Sequence, residues 1–588
     1  MSNVLRIANC SGFYGDRLSA AREMVEGGPI DVLTGDYLAE LTLMILLKDR
    51  MKDPRLGFAR TFLPQLEQVA TTCKQRGIRI VVNAGGLNPA GLAQAAQEIY
   101  QKLGLKAVVA RIEGDDLLPQ LEELQANGVP LTHLDKGIPL SALNAPVLSA
   151  NAYLGAWGIV NALERGADLV ICPRVTDAAL ALGPAAWKFG WARDDWDRLA
   201  AGVVAGHIIE CGAQCTGGNY AFFRELPDLC DPGFPIAEIS SDGSFVITKH
   251  PGTGGLVSVG TVTAQLLYEI AGPAYLNPDV TARFDSIRLA QEAPDRVRVS
   301  GIKGTPPPET TKVCINYFGG YRNSMTFVLT GLDIEEKAKR AEETFLRLLG
   351  GREQFAEVQV SLERADQPDP ARNEEAFAHL TIAVKDPDPA KVGRAFSGKA
   401  VEMALTSYPG FFMTSPPSRE SQFGVYWPAL VPASVIDERV VIGDEVIPIP
   451  PAPLGAASAT PAAPSALPGK PPGGPTEARP LGVLCGARSG DKGGNANLGV
   501  WVRTPDAYHW LAEFLSVERL QSLLPETRAL EVERFELPNL LALNFVVKGL
   551  LGDGVAASLR PDPQAKSLGE YLRAKRVPIP TALLRTQL

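Results

Sequence analysis

Polar side chains follow short apolar runs at several points in the first 180 residues. Asp36 comes directly after IDVLTG, Asn83 after IRIVV, and the pair Arg174 and Asp177 after ADLVICP. Carboxyl groups transfer protons in catalysis when burial or neighbouring charges move their pKa toward neutral pH. An arginine among them can hold a substrate carboxylate or phosphate through two parallel hydrogen bonds. These residue types therefore predict an acid–base site with an anion clamp.

The residues of this predicted site fall into two groups. The catalytic positions are assigned to four carboxyl side chains: Asp36, Glu113, Asp115 and Asp177. The positions expected to bind substrate are Asn9, Ser11, Asn83, Arg174, Thr176, Arg488, Ser489, Lys492 and Asn495. No spacing among them demands a metal ion, so no metal ligand is assigned. Taken singly, each loop is also typical of helix caps and turns, because Asp, Asn and Thr serve both purposes.

The segment GHIIECGAQCTGGNY places His207, Glu210, Cys211 and Cys215 within nine residues. His207 and Glu210, three residues apart, would share one face of a helix. Three interpretations stay open: a zinc site, a nucleophilic thiol activated by His207, or a helix that ends in a glycine turn with buried structural thiols. The zinc site has the weaker pattern, because Cys-x3-Cys has no second pair of ligands.

The segment GARSGDKGGNANLGV, residues 486–500, is rich in glycine and asparagine and directly follows an apolar run. A loop of this composition can turn several backbone N–H groups toward an anion, and Arg488 and Lys492 would add positive charge. A tight structural turn between two strands is the alternative. The segment lacks both the GK[ST] of a Walker loop and the GxGxxG of a dinucleotide site, so redox chemistry is disfavoured.

The elements that must position these residues alternate between strand and helix. Val- and Ile-rich runs without alternation are typical of strands buried on both faces, and parallel sheets bind ligands beyond the carboxyl ends of their strands. We expect a mostly parallel, Rossmann-like α/β domain over residues 1–250 and an α+β region over 251–447. Residues 448–480 contain eleven prolines and predict a linker. Residues 481–588 predict a small ferredoxin-like α+β domain.

Composition excludes several classes of protein. The chain has 588 residues with a net charge of -9, which disfavours nucleic-acid binding because a phosphate backbone requires a basic face. The eight cysteines are scattered without a dense framework, which indicates reduced thiols and a cytoplasmic location. No apolar run approaches the length of a membrane span, so we expect no membrane partner. We assign no certain cofactor.

Several long strings together resemble the acyclic terpene utilisation protein A family. They are IANCSGFYGDR, VLTGDYLAE, VVNAGGLNPAG, NAYLGAWGIVNALERGADLVICPRVTDAALALGPAAWKFGW and HIIECGAQCTGGNY, and they lie within residues 1 to about 447. The segment GARSGDKGGNANLGV is similar to the ferredoxin-fold domain that often accompanies that family. Pro173 stands where the family pattern leads us to expect glycine.

The resemblance implies a place in the breakdown of branched acyl-CoA compounds such as those from citronellol and geraniol. It implies a lyase or hydro-lyase acting on an acyl-CoA or its carboxylated or hydroxylated derivative, for example cleavage of a 3-hydroxy-3-alkylglutaryl-CoA. The alternative is a non-catalytic acyl-CoA-binding protein or an assembly partner of a biotin-dependent acyl-CoA carboxylase. A CoA thioester would then be the ligand, and we expect a homo-oligomer. The family supplies no assigned catalytic residues, so the site residues above rest on their position and chemistry.

Overall fold

The structure is a computed structural model that describes residues 4–453 and 467–585. Residues 454–466 of the predicted linker lie outside the described residues. The last five residues of the predicted linker 448–480, Thr476–Pro480, form a strand that pairs with a strand near the C-terminus.

The first part of the chain alternates strands and helices. Its strands are β1 (Val4–Asn9), β2 (Val32–Gly35), β3 (Arg79–Val82), β4 (Val109–Glu113), β5 (Val147–Ala152), β6 (Leu169–Ile171), β7 (Pro235–Ser240) and β8 (Phe245–Lys249). Its helices are α1 (Ala20–Glu26), α2 (Glu40–Lys52), α3 (Phe62–Arg76), α4 (Pro89–Lys102), α5 (Leu121–Ala126), α6 (Trp157–Glu164), α7 (Ala179–Phe189), α8 (Trp196–Ile209) and α9 (Val259–Leu266).

The middle part of the chain is dominated by strands. They are β9 (Ala274–Leu276), β10 (Thr281–Arg283), β11 (Arg288–Ala293), β12 (Arg296–Ser300), β13 (Lys303–Thr305), β14 (Thr310–Thr330), β15 (Glu357–Arg364), β16 (Phe377–Asp386), β17 (Phe412–Met413), β18 (Ser421–Pro432), β19 (Arg439–Ile442) and β20 (Glu445–Pro448). The helices of this part are α10 (Ile334–Leu348), α11 (Pro389–Val392) and α12 (Arg394–Glu402).

The C-terminal part has a compact α+β arrangement. Its strands are β21 (Thr476–Pro480), β22 (Gly486–Lys492), β23 (Asn495–Trp501), β24 (Val532–Leu537), β25 (Ala542–Val547) and β26 (Arg576–Pro580). Its helices are α13 (Pro505–Phe514), α14 (Val517–Leu523), α15 (Leu568–Arg573) and α16 (Thr581–Arg585).

The largest sheet has, in the described residues, eleven strands in the order β11-β12-β8-β7-β1-β2-β3-β6-β4-β19-β20. Its central strands, from β1 to β4 in this order, pair in parallel. The flanking strands pair antiparallel, so the sheet is mixed and takes strands from both sides of residue 250. The carboxyl ends of the parallel strands meet at one edge, which brings the loops after β1, β2, β3 and β6 together.

A second sheet is built around the long strand β14, which pairs with β5, β16, β17 and β18. The strand β5 ends at Ala152 and pairs antiparallel with β14. The helix α6 begins only at Trp157, because residues 147–152 extend to pair with β14. This pairing places β14 beside the loops at the carboxyl ends of the parallel strands.

The C-terminal part forms a ferredoxin-like α+β domain around the four-stranded sheet β22-β23-β25-β24. The glycine-rich segment after residue 486 is the hairpin β22–β23, which agrees with the alternative of a tight structural turn between two strands. Lys492 pairs with Asn495, so Gly493 and Gly494 form the turn. Glycine is also needed for close approach, since a Cβ at Gly490 would lie 2.5 Å from the Tyr268 ring.

The ferredoxin-like domain shares a hydrophobic core with the rest of the chain. Trp501, Leu537 and Leu540 belong to the same buried cluster as α8 and α9, and the Trp501 ring stacks on Tyr220 at 6.3 Å. The surface of β22–β23 thereby packs onto the segment that follows α9. In the described residues, no helix has the length and apolar character needed to cross a membrane.

Replacing Gly499 by alanine is expected to weaken this domain contact, because the new Cβ would lie 2.5 Å from Leu267 Cβ. Overpacking of a well-packed contact costs about 1–3 kcal/mol. Calorimetry should show a lower melting temperature for Gly499→Ala than for the wild type. The matched control is Gly473→Ala, since nothing lies within 4 Å of a Cβ there. Equal melting temperatures for the two variants would contradict the tight contact.

Candidate functional site

Asp36 lies directly after β2 and is held by the loop that follows β3. Asn83 Nδ2 donates to Asp36 Oδ1 at 2.5 Å, and the Leu38 amide donates to the same oxygen at 3.2 Å. Asn83 Oδ1 in turn accepts from the Tyr37 amide at 2.7 Å. Asn83, predicted as a substrate contact, is therefore committed to orienting Asp36.

Arg174 and Asp177 follow β6 and form a buried ion pair. Arg174 NH1 donates to Asp177 Oδ1 at 3.0 Å and to the Leu38 carbonyl at 3.3 Å. The guanidinium carbon also lies 4.2 Å from the centre of the Tyr153 ring. The Arg174 side chain is 3% exposed whereas that of Asp177 is 28% exposed. Asp177 therefore faces an accessible space, while Arg174 lies in the wall behind it.

A second ion pair joins α2 to β14. Tyr153 OH donates to Glu40 Oε1 at 2.6 Å, and Lys312 Nζ lies 3.4 Å from the same oxygen. Lys312 also lies 4.9 Å from the ring centre of Tyr153 and 5.5 Å from that of Tyr426. Glu40 and Lys312 were absent from the sequence prediction. The signal for Glu40 was its position inside the apolar run LAELTLM, which a charge interrupts.

Glu210 lies at the C-terminal end of α8, where Asn9 holds its backbone. Asn9 Nδ2 donates to the carbonyls of Ile209 and Glu210 at 2.7 and 2.9 Å. Asn9 Oδ1 accepts from the Ser11 amide at 2.6 Å, and Asp36 N donates to Ser11 O at 2.9 Å. Asn9 and Ser11 thus tie the loop after β1 to Asp36 and Glu210 and do not themselves project into the space beside Asp177.

The ferredoxin-like domain closes the opposite side of this space. Lys492 Nζ donates to the Glu269 carbonyl at 3.1 Å, and Lys566 Nζ lies 3.8 Å from Glu269 Oε1. Arg488 lies over the Tyr268 ring at 4.5 Å. We use the name interdomain cleft for the region where Asp177 and Glu269, both of the first part of the chain, approach Asp491 and Lys492 of the ferredoxin-like domain. Asp36, Glu40, Arg174, Glu210 and Lys312 belong to the same region, because their charges and those of the first four residues shift one another's pKa values.

The carboxyl groups of the interdomain cleft differ in their affinity for protons. Burial, and then the charges of Asp177 and Glu210, raise the pKa of Asp36 well above its ordinary value. Burial, and then Asp177 and Glu269, raise the pKa of Glu210 in the same way. Burial also opposes ionisation of Glu40, but Lys312 and Arg174 lower its pKa to about 2. Burial and like charges therefore favour the protonated form of Asp36 and Glu210, whereas the neighbouring cations favour the ionised form of Glu40.

The cations of the ferredoxin-like domain are also perturbed. Burial, and then the positive charge of Lys312, lower the pKa of Lys492 to about 8. Burial, and then the charge of Glu40, raise the pKa of Asp491 to about 7. Two pairs of like charges, Lys312 with Lys492 and Glu40 with Asp491, thus bring the first part of the chain and the ferredoxin-like domain together against electrostatic repulsion. An anionic ligand between Lys312 and Lys492 would relieve part of their repulsion.

Several polar atoms in the wall of the cleft lack a hydrogen-bond partner among residues 4–453 and 467–585. They are Arg174 Nε, Glu210 Oε2, Tyr426 OH, Arg488 NH2 and both ring nitrogens of His207. Buried polar groups are almost always paired, so unpaired ones clustered around one cleft indicate groups that await a ligand or water. His207 Nδ1 lies 3.3 Å from Glu210 Oε1 without hydrogen-bond geometry.

Glu113, Ser489, Asn495 and Thr176, the other predicted site residues, take part in contacts within the framework of the chain. Glu113 pairs with Arg111 at 2.7 Å and Arg439 at 3.6 Å, on the other flank of the sheet. Ser489 accepts from the Gly569 amide inside the ferredoxin-like domain, and Asn495 donates to Asp135 at 2.7 Å. Thr176 donates its backbone amide to Leu154. These contacts fix the framework of the chain.

Asp115 lies behind the Arg174 loop and not in the cleft. Its Oδ2 accepts from Asn151 Nδ2 at 2.8 Å and from the Arg174 amide at 3.3 Å. Burial raises the pKa of Asp115 to about 7, although these hydrogen bonds lower it. Asp115 therefore supports the backbone of Arg174.

The thiols of the GHIIECGAQCTGGNY segment lie against this site but are poor nucleophiles. Burial, and then Glu210, raise the pKa of Cys211 well above its ordinary value, and burial alone raises that of Cys215. Burial lowers the pKa of His207 to about 4, so the ring is neutral. A thiolate–imidazolium pair would require the opposite shifts. Among the described residues, no three or more His, Cys, Asp or Glu side chains are grouped so that they could hold a metal ion.

A second pair of acids, at the start of α6, predicts a pH dependence of stability. Asp279 accepts from the Ala156 amide and Glu438 from the Gly158 amide. Burial raises the pKa of Asp279 to about 6, and burial and then Asp279 raise that of Glu438 to about 8. Both are above the unfolded values of about 4, so the folded state binds extra protons and loses stability as pH rises from about 4 to 8.

The melting temperature of the wild type should therefore fall between pH 5 and pH 8. Glu438→Gln should flatten this slope, because each such group contributes up to about 1.4 kcal/mol per pH unit. Calorimetry at four pH values checks this. Glu445→Gln changes an exposed side chain nearby and is the matched control. If the melting temperature of Glu438→Gln fell with pH as steeply as that of the control, the raised pKa of Glu438 would be contradicted.

Two family models match the chain. One, described as acyclic terpene utilisation family protein AtuA, matches residues 5–442, and the other, described as AtuA ferredoxin-like domain, matches residues 479–578. No curated protein and no solved structure gives a significant match. The interdomain cleft contains residues of both matched regions.

Proposed function

The chain belongs to the acyclic terpene utilisation protein A family, and on that premise we propose that it is a cytoplasmic enzyme of acyclic terpenoid and branched-chain acyl-CoA catabolism. The reaction is of the lyase or hydro-lyase type, and the substrate is an acyl-CoA or its carboxylated or hydroxylated derivative. The observation that carries the proposal is the accessible carboxyl of Asp177, 3.0 Å from a buried arginine.

Acid–base chemistry suits the cleft because its carboxyl groups differ in their affinity for protons. Burial raises the pKa of Asp177 and Arg174 opposes this, so the carboxyl is suited to take a proton from a substrate and to return it. Asp36 and Glu210, whose pKa values are also raised, lie behind it. Arg174, fixed by Tyr153 and Leu38, keeps one hydrogen-bond donor free for a substrate oxygen.

The anionic parts of an acyl-CoA would lie toward the ferredoxin-like domain. Lys312 and Lys492 approach each other across the cleft, and Arg488 keeps a buried NH2 group without a partner among the described residues. A carboxylate or phosphate is the chemical class that such groups bind. Association with acyl-CoA carboxylase subunits and self-association into a homo-oligomer remain part of the proposal.

A thermal-shift screen across acyl-CoAs, the free branched acids and divalent metal ions tests the proposal. A ligand at 100 times its Kd adds about 2.7 kcal/mol of stability, which such a screen detects. Ligands that raise the melting temperature are then assayed for turnover by mass spectrometry. Binding of an acyl-CoA without turnover, together with capture of a biotin-containing protein, would favour the non-catalytic alternative. If no acyl compound raised the melting temperature, both the enzymatic proposal and the non-catalytic alternative would be overturned.

A further inference from the structure

The segment after α9 has an unusual backbone conformation at Glu269. Its φ is 58°, in the left-handed region where any side chain other than glycine's crowds the backbone. Glycine is the usual residue at a left-handed position after a helix, so the chain keeps a glutamate where glycine would be less strained. Strained residues of this kind persist when their surroundings hold them, and they are concentrated at active sites.

Two buried asparagines of the ferredoxin-like domain hold this segment. Asn497 Oδ1 accepts from the Glu269 amide at 2.8 Å, and Asn497 Nδ2 donates to Asn544 Oδ1 at 2.5 Å. Asn544 Nδ2 then donates to the carbonyls of Ile270, at 3.2 Å, and Ala271. Both asparagines are 0% exposed. A buried carboxamide is costly unless paired, and here the pair is committed to the backbone of residues 269–271.

The consequence of this clamp is that the Glu269 carboxyl projects into the interdomain cleft. The side chain is 38% exposed, although burial, and then Asp491, Glu40 and Asp177, raise its pKa. The carboxyl is thus partly accessible and lies among other carboxyl groups whose charges disfavour its ionisation. Glu269 lies close enough to Asp177 for the Asp177 charge to raise its pKa, and Lys492 of the ferredoxin-like domain is fixed to the Glu269 carbonyl.

We propose that Glu269 is a proton-transfer residue of the cleft and that Asn497 and Asn544 are its positioning residues. The inference rests on the proposed function, because it places the substrate between the two domains. In a dehydration, one of Asp177 and Glu269 takes a proton from a substrate carbon as the C–H bond breaks. The other, as a carboxylic acid, protonates the hydroxyl on the next carbon, which leaves as water while the C=C bond forms. Solvent then returns the two carboxyls to their starting protonation states.

The first test needs no substrate. The full chain is treated with a water-soluble carbodiimide and glycine ethyl ester across pH 5 to 8, and labelled glutamates are located by peptide mass spectrometry. Because the reagent attacks the protonated carboxyl, Glu269 should remain reactive to a pH at least one unit higher than the exposed Glu335. In Asn497→Ala this difference should disappear. Equal pH dependence of Glu269 and Glu335 in the wild type would overturn the inference.

The second test uses Glu269→Gln and Glu269→Gly with whichever acyl compound is turned over. Both variants should lower kcat by about 100-fold or more and change KM by less than about threefold. Glu269→Gly should melt no lower than the wild type, since glycine accepts the left-handed backbone. Asp369→Gly, at an exposed position with φ 50°, is the matched control and should keep the wild-type kcat.

The outcomes separate the two levels of the proposal. If Asp177→Asn abolishes turnover and Glu269→Gln keeps it, the inference is overturned and the proposed function stands. If the wild type turns over no acyl compound, the proposed function fails. The labelling experiment alone then tests whether Asn497 positions Glu269. A high reaction midpoint for Glu269 that depends on Asn497 then supports the positioning role, and an ordinary midpoint overturns it.

Discussion

Arg174→Met is expected to lower the free energy of unfolding by about 3–5 kcal/mol at pH 8, because it removes one partner of a buried ion pair. The Arg174 guanidinium is the positive charge that opposes the raised pKa values of Asp36, Asp177 and Glu210. Without it, these carboxyls face one another with only lysine charges to offset them. Methionine fills a similar volume, so the loss of charge and of hydrogen bonds dominates over a cavity.

The loss should be smaller at pH 5.5. Without Arg174 the folded-state pKa values of the neighbouring carboxyls rise further above their unfolded values. Stability contributed by a raised pKa is present at low pH and is lost as pH rises through the folded value. The variant should therefore show a steeper fall of stability with pH than the wild type.

Urea unfolding followed by tryptophan fluorescence at the two pH values measures this difference. Arg340→Met removes an exposed arginine that pairs with Glu336 at 3.0 Å on α10, and such surface pairs contribute little. A loss for Arg174→Met no larger than for this control would mean that the ion pair does not organise the cleft. Arg174→Lys keeps the charge but loses the planar guanidinium over the Tyr153 ring. Its free energy of unfolding should lie between those of the wild type and Arg174→Met.

The half of the site that follows the parallel strands could be predicted from sequence. Runs such as IRIVV and DLVIC are largely buried, and their Val- and Ile-rich composition without alternation is typical of strands in a parallel sheet. Since parallel strands end at one edge, Asp36, Arg174 and Asp177 could be brought together from local patterns alone. The same reasoning predicts Asn9 and Asn83 as substrate contacts, and it could not show that their amides also hold the Glu210 backbone and Asp36.

The other half of the cleft could not be predicted, because it depends on contacts between distant segments. Lys312 lies in TTKVCINYF, where a charge simply fits the alternation of a half-buried strand. Its position follows from the pairing of β14 with β5, about 160 residues earlier. Glu269 gives no local signal either, since its left-handed conformation is imposed by Asn497 and Asn544. The glycines of the hairpin β22–β23 weaken its strand-like sequence pattern, and they permit close contact with Leu267 and Tyr268.

Asp177→Asn is expected to lower turnover of the substrate by about 100-fold or more while the fold is retained. Asparagine keeps the shape of the side chain and can still accept a hydrogen bond from Arg174. It cannot take or give a proton, which is the role that its accessible carboxyl has in the proposed reaction. Removing one negative charge also lowers the pKa of Asp36 and Glu210, which Asp177 raises.

The loss of the Asp177 charge also has an expected effect on stability that can be measured without a substrate. At pH 8 Asp177→Asn should melt at or above the wild-type temperature, because fewer like charges are held together. Asp444→Asn, in an exposed turn between β19 and β20, is the matched control and should change neither turnover nor melting temperature. Turnover by Asp177→Asn at the wild-type rate would remove Asp177 from the mechanism. A lost turnover with a lowered melting temperature would instead assign it a structural role beside Arg174, so the two measurements together decide between proton transfer and support.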